Sequence, residues 1–175
     1  VHPDFLAQVI VVTGDLSKLT PQERLTYYRA LCESLGLNPL TEPFAYITLN
    51  GRLKLYALKN ATDQLRASRA ISITITARER HDDLYVVTAR ATTPEGRQDE
   101  SIGAVPTKGL QGEALANALM KGETKAKRRV TLSICSLGML DETEVDSIPG
   151  AKTERAKVEP VAFPVAGAAA PSPAL

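Results

Sequence analysis

Residues 70–78 alternate without a break: Ile71, Ile73, Ile75 and Ala77 fall on one side, and Ser72, Thr74, Thr76 and Arg78 on the other. Side chains along a strand point to opposite faces in turn, so this is a strand with one buried face and one wet face. Its continuation fits that demand. His81-Asp82-Asp83 is turn-forming, residues 84–91 are again apolar and β-branched, residues 93–97 hold Pro94 and Gly96, and residues 99–105 supply a third strand. The pattern predicts a three-stranded antiparallel meander.

Thr20-Pro21-Gln22-Glu23 joins an N-cap threonine, a proline at the first helical position and a glutamate placed to close a capping box. Leu25, Tyr28, Leu31, Cys32 and Leu35 follow at helical spacing until Gly36 and Asn38-Pro39, which predicts a helix over 21–35. Residues 44–49 and 52–58 flank Asn50-Gly51, the pair that best tolerates the positive φ angles of a tight hairpin. Residues 58–68 return to helical spacing, and a long helical pattern runs from about 113 to 137, closed by Gly138. Residues 6–12 are β-branched and suit a strand or an oligomer-facing arm, residues 14–18 read as a loop, and Asp141-Glu142-Thr143-Glu144 is acidic. From Ile148 onward Pro, Ala and Gly dominate, so residues 150–175 read as a flexible tail behind a single domain of residues 1–149. The fold class is α+β: helix, β-hairpin, helix, three-stranded antiparallel meander and long C-terminal helix, with helices on one sheet face and the other partly open.

The chain has 175 residues, 43% of them hydrophobic and 23% charged, the profile of one independently folding domain. Net charge is only +1, so any affinity for nucleic acid must come from a local concentration of Lys and Arg. Cys32 and Cys135 belong to no metal-spaced cluster and read as reduced core residues. No apolar run approaches the roughly 18 residues of a membrane span, and residues 1–4 do not resemble the start of a signal peptide, which points to a cytoplasmic setting away from the membrane. The only histidines are His2 and His81, and there is no P-loop, Gly-x-Gly-x-x-Gly or Ser/His/Asp set, so neither a catalytic site nor a cofactor is expected. Asp63, Asp82, Asp83, Asp99 and Glu100 offer a metal-dependent nuclease as the enzyme alternative, but they fall mostly where solvated turns and strand ends are expected.

The strongest local signal lies in residues 120–129, where Lys121, Lys125, Lys127, Arg128 and Arg129 face a single acid, Glu123. At 100° per residue Lys121, Lys125 and Arg128 share one stripe with Arg129 at its edge, beside an apolar side that contains Leu115, Gly122, Ala126 and Val130. A rail of this kind meets the phosphates of a single strand without regard to base identity; the plainer reading is a solvated helix face, as on a scaffold protein. Gly122 inside the apolar side costs about 1 kcal/mol of helix propensity relative to Ala, so a close approach is expected there, by another backbone, a DNA strand or a tight core contact. The hairpin interleaves aromatics with cations, namely Phe44, Tyr46, Arg52, Lys54, Tyr56 and Lys59, with Arg66 on the helix beyond. Unstacked bases can lie on such rings while cations hold the backbone, or the rings simply pack the sheet. Arg78, Arg80 and Arg90 of the meander either extend that surface or solvate it.

Three stretches resemble the RecT and Redβ group of phage single-strand annealing proteins, most closely its RecT-like members. They are Tyr28-Arg29-Ala30-Leu31-Cys32 with Gly36-Leu37-Asn38-Pro39, then Lys54-Leu55-Tyr56-Ala57-Leu58-Lys59-Asn60-Ala61-Thr62-Asp63, and residues 117–142 with their Leu-Gly-Met-Leu-Asp-Glu exit. Roughly residues 20–145 are covered. The resemblance implies an annealing-protein core, single-stranded DNA held in a groove between hairpin and long helix, an annealed duplex intermediate, and homo-oligomeric rings or filaments in a bacterial cell carrying a phage or prophage. It also implies a phage exonuclease or a host single-strand-binding protein as partner. Related proteins often carry a helical partner-binding region after the position of residue 145, where this chain turns to Pro and Ala.

Overall fold

The computed structural model describes residues 8, 10, 11 and 13–154. Helix α1 (Pro21–Leu35) begins at the expected capping box: the Glu23 amide donates to the Thr20 hydroxyl at 3.3 Å and the Thr20 amide donates to the Glu23 carboxylate at 2.8 Å. It ends at Gly36 with φ 67°, a left-handed position that glycine adopts without strain. Strands β1 (Phe44–Leu49) and β2 (Arg52–Ala57) form the hairpin across Asn50 and Gly51, both at positive φ. Helix α2 (Lys59–Ser68) leads to strands β3 (Ser72–His81), β4 (Leu84–Thr92) and β5 (Gln98–Pro106), then to α3 (Gly112–Ile134), the short α4 (Glu142–Val145) and β6 (Lys152–Glu154). The result is a mixed α+β fold with two three-stranded antiparallel sheets, ordered β2-β1-β6 and β3-β4-β5.

One core links the parts. Tyr28 and Cys32 of α1, Phe44 and Ala57 of the hairpin, Ala61 and Leu65 of α2, Val87, Ala89 and Ala91 of β4, and Ala126 and Val130 of α3 belong to the same buried cluster. Fully burying a side chain such as Leu65 or Val130 is worth roughly 1.5–3 kcal/mol, so the helices are held to the second sheet mainly by this face. The Tyr28 hydroxyl sits against the hairpin, 3.2 Å from both the amide and the carbonyl of Phe44, and the two rings meet edge-on at 6.0 Å. Asp15 pins the hairpin from the other side by accepting the Leu53 amide at 2.8 Å. That contact, with the Ser17 amide and hydroxyl, holds the Asp15 carboxyl below its ordinary range.

Several local expectations are corrected. Gln8, Ile10 and Val11 are helical instead of extended, as is Thr13; the Gly14 amide donates to the Ile10 carbonyl at 2.9 Å, and Ile10 packs on Leu16, Leu19 and Leu53. A helix presents that residue to the available cluster, and packing overrides β-branched propensity. Within the expected loop, Leu16–Lys18 forms a 3-10 turn capped by Asp15. Strand β3 begins two residues later than expected, because Ala70 at φ 50° is still in the turn, and runs on to His81.

The alternation of residues 71–77 also breaks. Ile75 pairs with Ala89 but Ala77 pairs with Thr88, leaving Thr76 as the extra residue of a β-bulge. Directly opposed residues share a face and a bulge inverts the parity, so beyond Thr76 the outward and inward positions exchange. Ala77 joins the open face with Thr88, while Arg78 lies opposite the fully buried Val87, on the helix-covered side.

Helix α3 ends at Ile134, short of the expected 137. The Leu137 amide donates to the Leu132 carbonyl at 2.9 Å and the Ser136 amide to the Ser133 carbonyl at 2.9 Å, a Schellman closure with Ser136 at φ 59°. Gly138 lies beyond it. The expected tail boundary is also displaced: β6 adds to the edge of β1, with Tyr46 opposite Glu154, Ile47 opposite Thr153 and Thr48 opposite Lys152. Backbone pairing needs no large apolar side chains, so composition is blind to it. The remainder of the expected tail, residues 155–175, lies outside the described residues.

Candidate nucleic-acid interface

Helix α3 lies on the β3-β4-β5 sheet by its smallest side chains. A Cβ added to Gly103 of β5 would stand 2.4 Å from the Gly122 carbonyl oxygen and 2.5 Å from the Ala126 amide nitrogen, and one added to Gly122 would stand 3.0 Å from the Tyr85 ring. The close approach expected at Gly122 is therefore a core contact between helix and sheet. It also orients the helix: with Gly122, Ala126 and Val130 buried against the sheet, Lys121 and Arg128 are turned away from it, while Lys125, whose Cβ lies 3.0 Å from a Cβ placed on Gly103, and Arg129, which lines a pocket with Ser101 of β5, flank the contact.

Lys121, Lys125, Arg128 and Arg129 stand at i, i+4, i+7 and i+8, one side of α3. Three of them meet acids just beyond the helix. Lys121 lies 3.5 Å from Asp146, Arg128 lies 3.2 Å from Glu142, and Arg129 is bonded to Glu144. Arg128 is only 12% exposed, whereas the other two are nearly half exposed. Lys127 turns to Glu123 at 3.6 Å, and Glu123 is also held by Arg78 of β3 at 2.8 Å. The Arg78 hydrogen bond holds the Glu123 carboxyl below its ordinary range against the opposing effect of burial. Lys125, half-buried, has no acidic partner among the described residues.

The acids come from a segment that sequence reading noted only as acidic. Asp141 caps α4 by accepting the Glu144 amide at 2.8 Å, and Glu144 returns the bond to the Asp141 amide at 3.1 Å. Asp-x-x-Glu is a capping-box pattern, so this helical turn was legible in residues 141–144. The segment is anchored on the hairpin: the Ala57 amide donates to the Leu140 carbonyl at 2.8 Å, and Val145 is buried with Ala45, Ile47 and Tyr56. Residues 140–146 therefore lie between hairpin and long helix, where the resemblance implies a DNA groove. Beside the Arg129–Glu144 pair a cavity of about 460 Å³ opens, lined also by Ser101, Ser133, Ser136, Leu137 and Met139.

The hairpin residues do not form one platform. Tyr46 opposes Leu55 and faces Tyr27, Leu16 and Leu53, whereas Tyr56 opposes Ala45 on the other face and is buried with Ile47 and Val145. Neither ring is laid open beside the other, since both faces of the hairpin are covered. Arg52 and Lys54 are exposed on the Tyr56 face, and Lys59 is exposed at the first turn of α2. Arg66 is bonded to Asp63 and reaches the Thr131 hydroxyl of α3 at 3.3 Å, tying two helices together. Arg78, Arg80 and Arg90 do not share a surface either. The bulge puts Arg78 and Arg80 opposite Val87 and Tyr85, on the helix side, while Arg90 pairs with Glu100 at 2.8 Å on the open face.

The five acids weighed as a metal cluster are dispersed: Asp63 serves Arg66, Asp83 lies 3.6 Å from Lys108, Asp99 accepts the Ser133 hydroxyl, Glu100 serves Arg90, and Asp82 is in the β3–β4 turn. Among the described residues no three of His, Cys, Asp and Glu gather as a metal site requires. Among the same residues no helix is long and apolar enough to cross a membrane. A scan against protein-family models finds no match, and a search of curated proteins finds none.

Proposed function

We propose that this chain binds single-stranded DNA and anneals complementary strands without nucleotide, as a homo-oligomer of the RecT and Redβ type working in phage recombination. The observation that carries the reading is the one-sided rail of Lys121, Lys125, Arg128 and Arg129 on a helix whose neighbouring side is clamped to the sheet by Gly103 and Gly122. A clamped helix presents its cations at fixed intervals, and contacts to phosphate release counterions whatever the bases are. Exposed Arg52, Lys54 and Lys59 extend the positive surface beside the hairpin. A base-stacking contribution from Tyr46 and Tyr56 is not part of the proposal, because the two rings pack on opposite faces.

Fluorescence anisotropy with a labelled oligothymidylate over a salt series tests it. Replacing Lys121 and Lys125 with Ala should leave the circular dichroism spectrum intact and flatten the log K against log salt slope by about 1.4, at about 0.7 per lost single-strand phosphate contact. A quenching assay without ATP should show faster pairing of complementary oligonucleotides. A second reading rests on the ion pairs themselves, since Asp146, Glu142 and Glu144 make three of the cations ties for residues 141–146. Unchanged affinity and slope in the folded double variant would select that reading and end the first. Degradation of the strand on adding magnesium would select the nuclease.

A further inference from the structure

We infer that the acidic segment of residues 141–146 is a built-in competitor for the strand: its carboxylates occupy the rail cations in the free protein and exchange them for phosphates when DNA binds. The inference rests on the proposed rail and adds a control on its affinity. Three observations carry it. Glu142, Glu144 and Asp146 take Arg128, Arg129 and Lys121 in turn, following the rail along one side of α3. The segment fills the space between hairpin and helix, where the Val145 side chain and the Leu140 carbonyl fix it. The solvent-open cavity beside the Arg129–Glu144 pair gives an incoming group access to that end of the rail.

The exchange is therefore one of side chains. Asp141, Thr143 and Val145 are buried and anchor α4, whereas Glu142 and Asp146 point to the rail, Asp146 with 61% of its side chain exposed. A phosphate and a carboxylate make comparable charge-assisted bonds to guanidinium, so neither excludes the other outright. The strand prevails by its many phosphates and by counterion release, and the acids set the salt concentration at which it does. A rail already neutralised from within also keeps the free protein from holding polyanions weakly at every encounter, consistent with a net charge of only +1.

The test compares Glu142→Gln/Asp146→Asn with the wild type by oligothymidylate anisotropy over a salt series, with melting curves alongside. As a control of equal charge change, Glu33→Gln/Glu113→Gln alters two exposed acids away from the rail. The first variant should bind about fivefold tighter, the effect of freeing two partly exposed ion pairs. Its slope should stay close to that of the wild type, because after the exchange both complexes make the same phosphate contacts, whereas a slope steeper by about 0.7 per residue would mean that the acids keep their cations in the complex and would overturn the exchange. The control should gain less affinity than the first variant. If loss of Glu142 beside the little-exposed Arg128 lowers the melting temperature, Asp146→Asn alone carries the test with about a twofold gain in affinity. Wild-type affinity in a folded acid variant, in a protein that binds through Lys125, overturns the competitor and leaves the rail standing. Absence of binding by wild type and variant alike overturns the rail and the competitor together. Binding by the variant alone supports both.

Discussion

Replacing Gly103 with Ala should be among the most damaging small changes in this protein. The residue lies opposite Val87 on the helix-covered face of β5, and its added Cβ would stand 2.4 Å from the Gly122 carbonyl oxygen, 2.5 Å from the Ala126 amide nitrogen and 3.0 Å from the Lys125 Cβ. A carbon rests no closer than about 3.3 Å to a carbonyl oxygen, so α3 must withdraw by roughly 1 Å. Two of the three atoms are helix backbone, which no rotamer change can move. The retreat would loosen Ala126 and Val130, both fully buried. Overpacking costs about 1–3 kcal/mol, and a rigid backbone neighbour puts this site at the top of that range. At about 2–4 °C per kcal/mol for a chain of this size, the melting temperature should fall by roughly 6–12 °C. Gly122→Ala is the internal comparison. Its Cβ would meet the Tyr85 ring at 3.0 Å and Val105 at 3.4 Å, side chains that can give, and Ala recovers about 1 kcal/mol of helix propensity. Its net effect should lie within about 1 kcal/mol of zero. Thermal unfolding followed by circular dichroism measures both, and the reasoning fails if Gly103→Ala melts with the wild type or above Gly122→Ala.

Burial pushes the Tyr28 hydroxyl up to about 12, so the folded chain keeps a proton that the unfolded chain loses near 10; the Tyr28 contribution to stability should be flat below about pH 10 and fall by up to about 3 kcal/mol towards pH 12, on top of the losses from Cys32, Cys135, Tyr27 and Tyr46, which burial also pushes up. Tyr28→Phe should make that alkaline limb shallower in denaturant titrations, and an unchanged limb would assign it wholly to the other groups. The Glu123 carboxyl is held low chiefly by Arg78, so its contribution is complete above the ordinary glutamate range and is lost as pH falls through the depressed value. Glu123→Gln should therefore lower stability at neutral pH and converge with the wild type in acid, and a constant offset at all pH would count against the pair. A chain ending at Pro149 should be less stable than one ending at Glu154 by about 2 kcal/mol, since β6 contributes backbone hydrogen bonds worth about 1 kcal/mol each and Ala151 packs against the hairpin cluster. Equal melting temperatures would show that β6 adds nothing.

What the amino-acid order determined unaided was local. The Thr20–Glu23 capping box, the Asn50-Gly51 turn and the 3.6-residue period of α3 each need only neighbours in the chain, and each stands where its residues put it. The orientation of α3 was equally legible, because Gly122, Ala126 and Val130 fall on one side at any helical pitch. The sequence of element types followed, and with it the α+β class.

What the tertiary structure alone decided was which distant groups meet. Period-two alternation at residues 71–77 carries no mark of the bulge at Thr76, because the extra residue is extra only relative to β4; one unpaired position sent Arg78 to Glu123 instead of to the open face. The hairpin's cations and rings alternate in the sequence as a binding platform would, yet Tyr46 and Tyr56 differ by ten positions across a turn, and only the register Tyr46↔Leu55 and Ala45↔Tyr56 puts them on opposite faces. Charge pairing was the least legible. Lys121 and Asp146, or Arg129 and Glu144, are brought together by the chain reversal after α3, and a Coulomb interaction depends on the distance in space, to which separation along the chain is no guide.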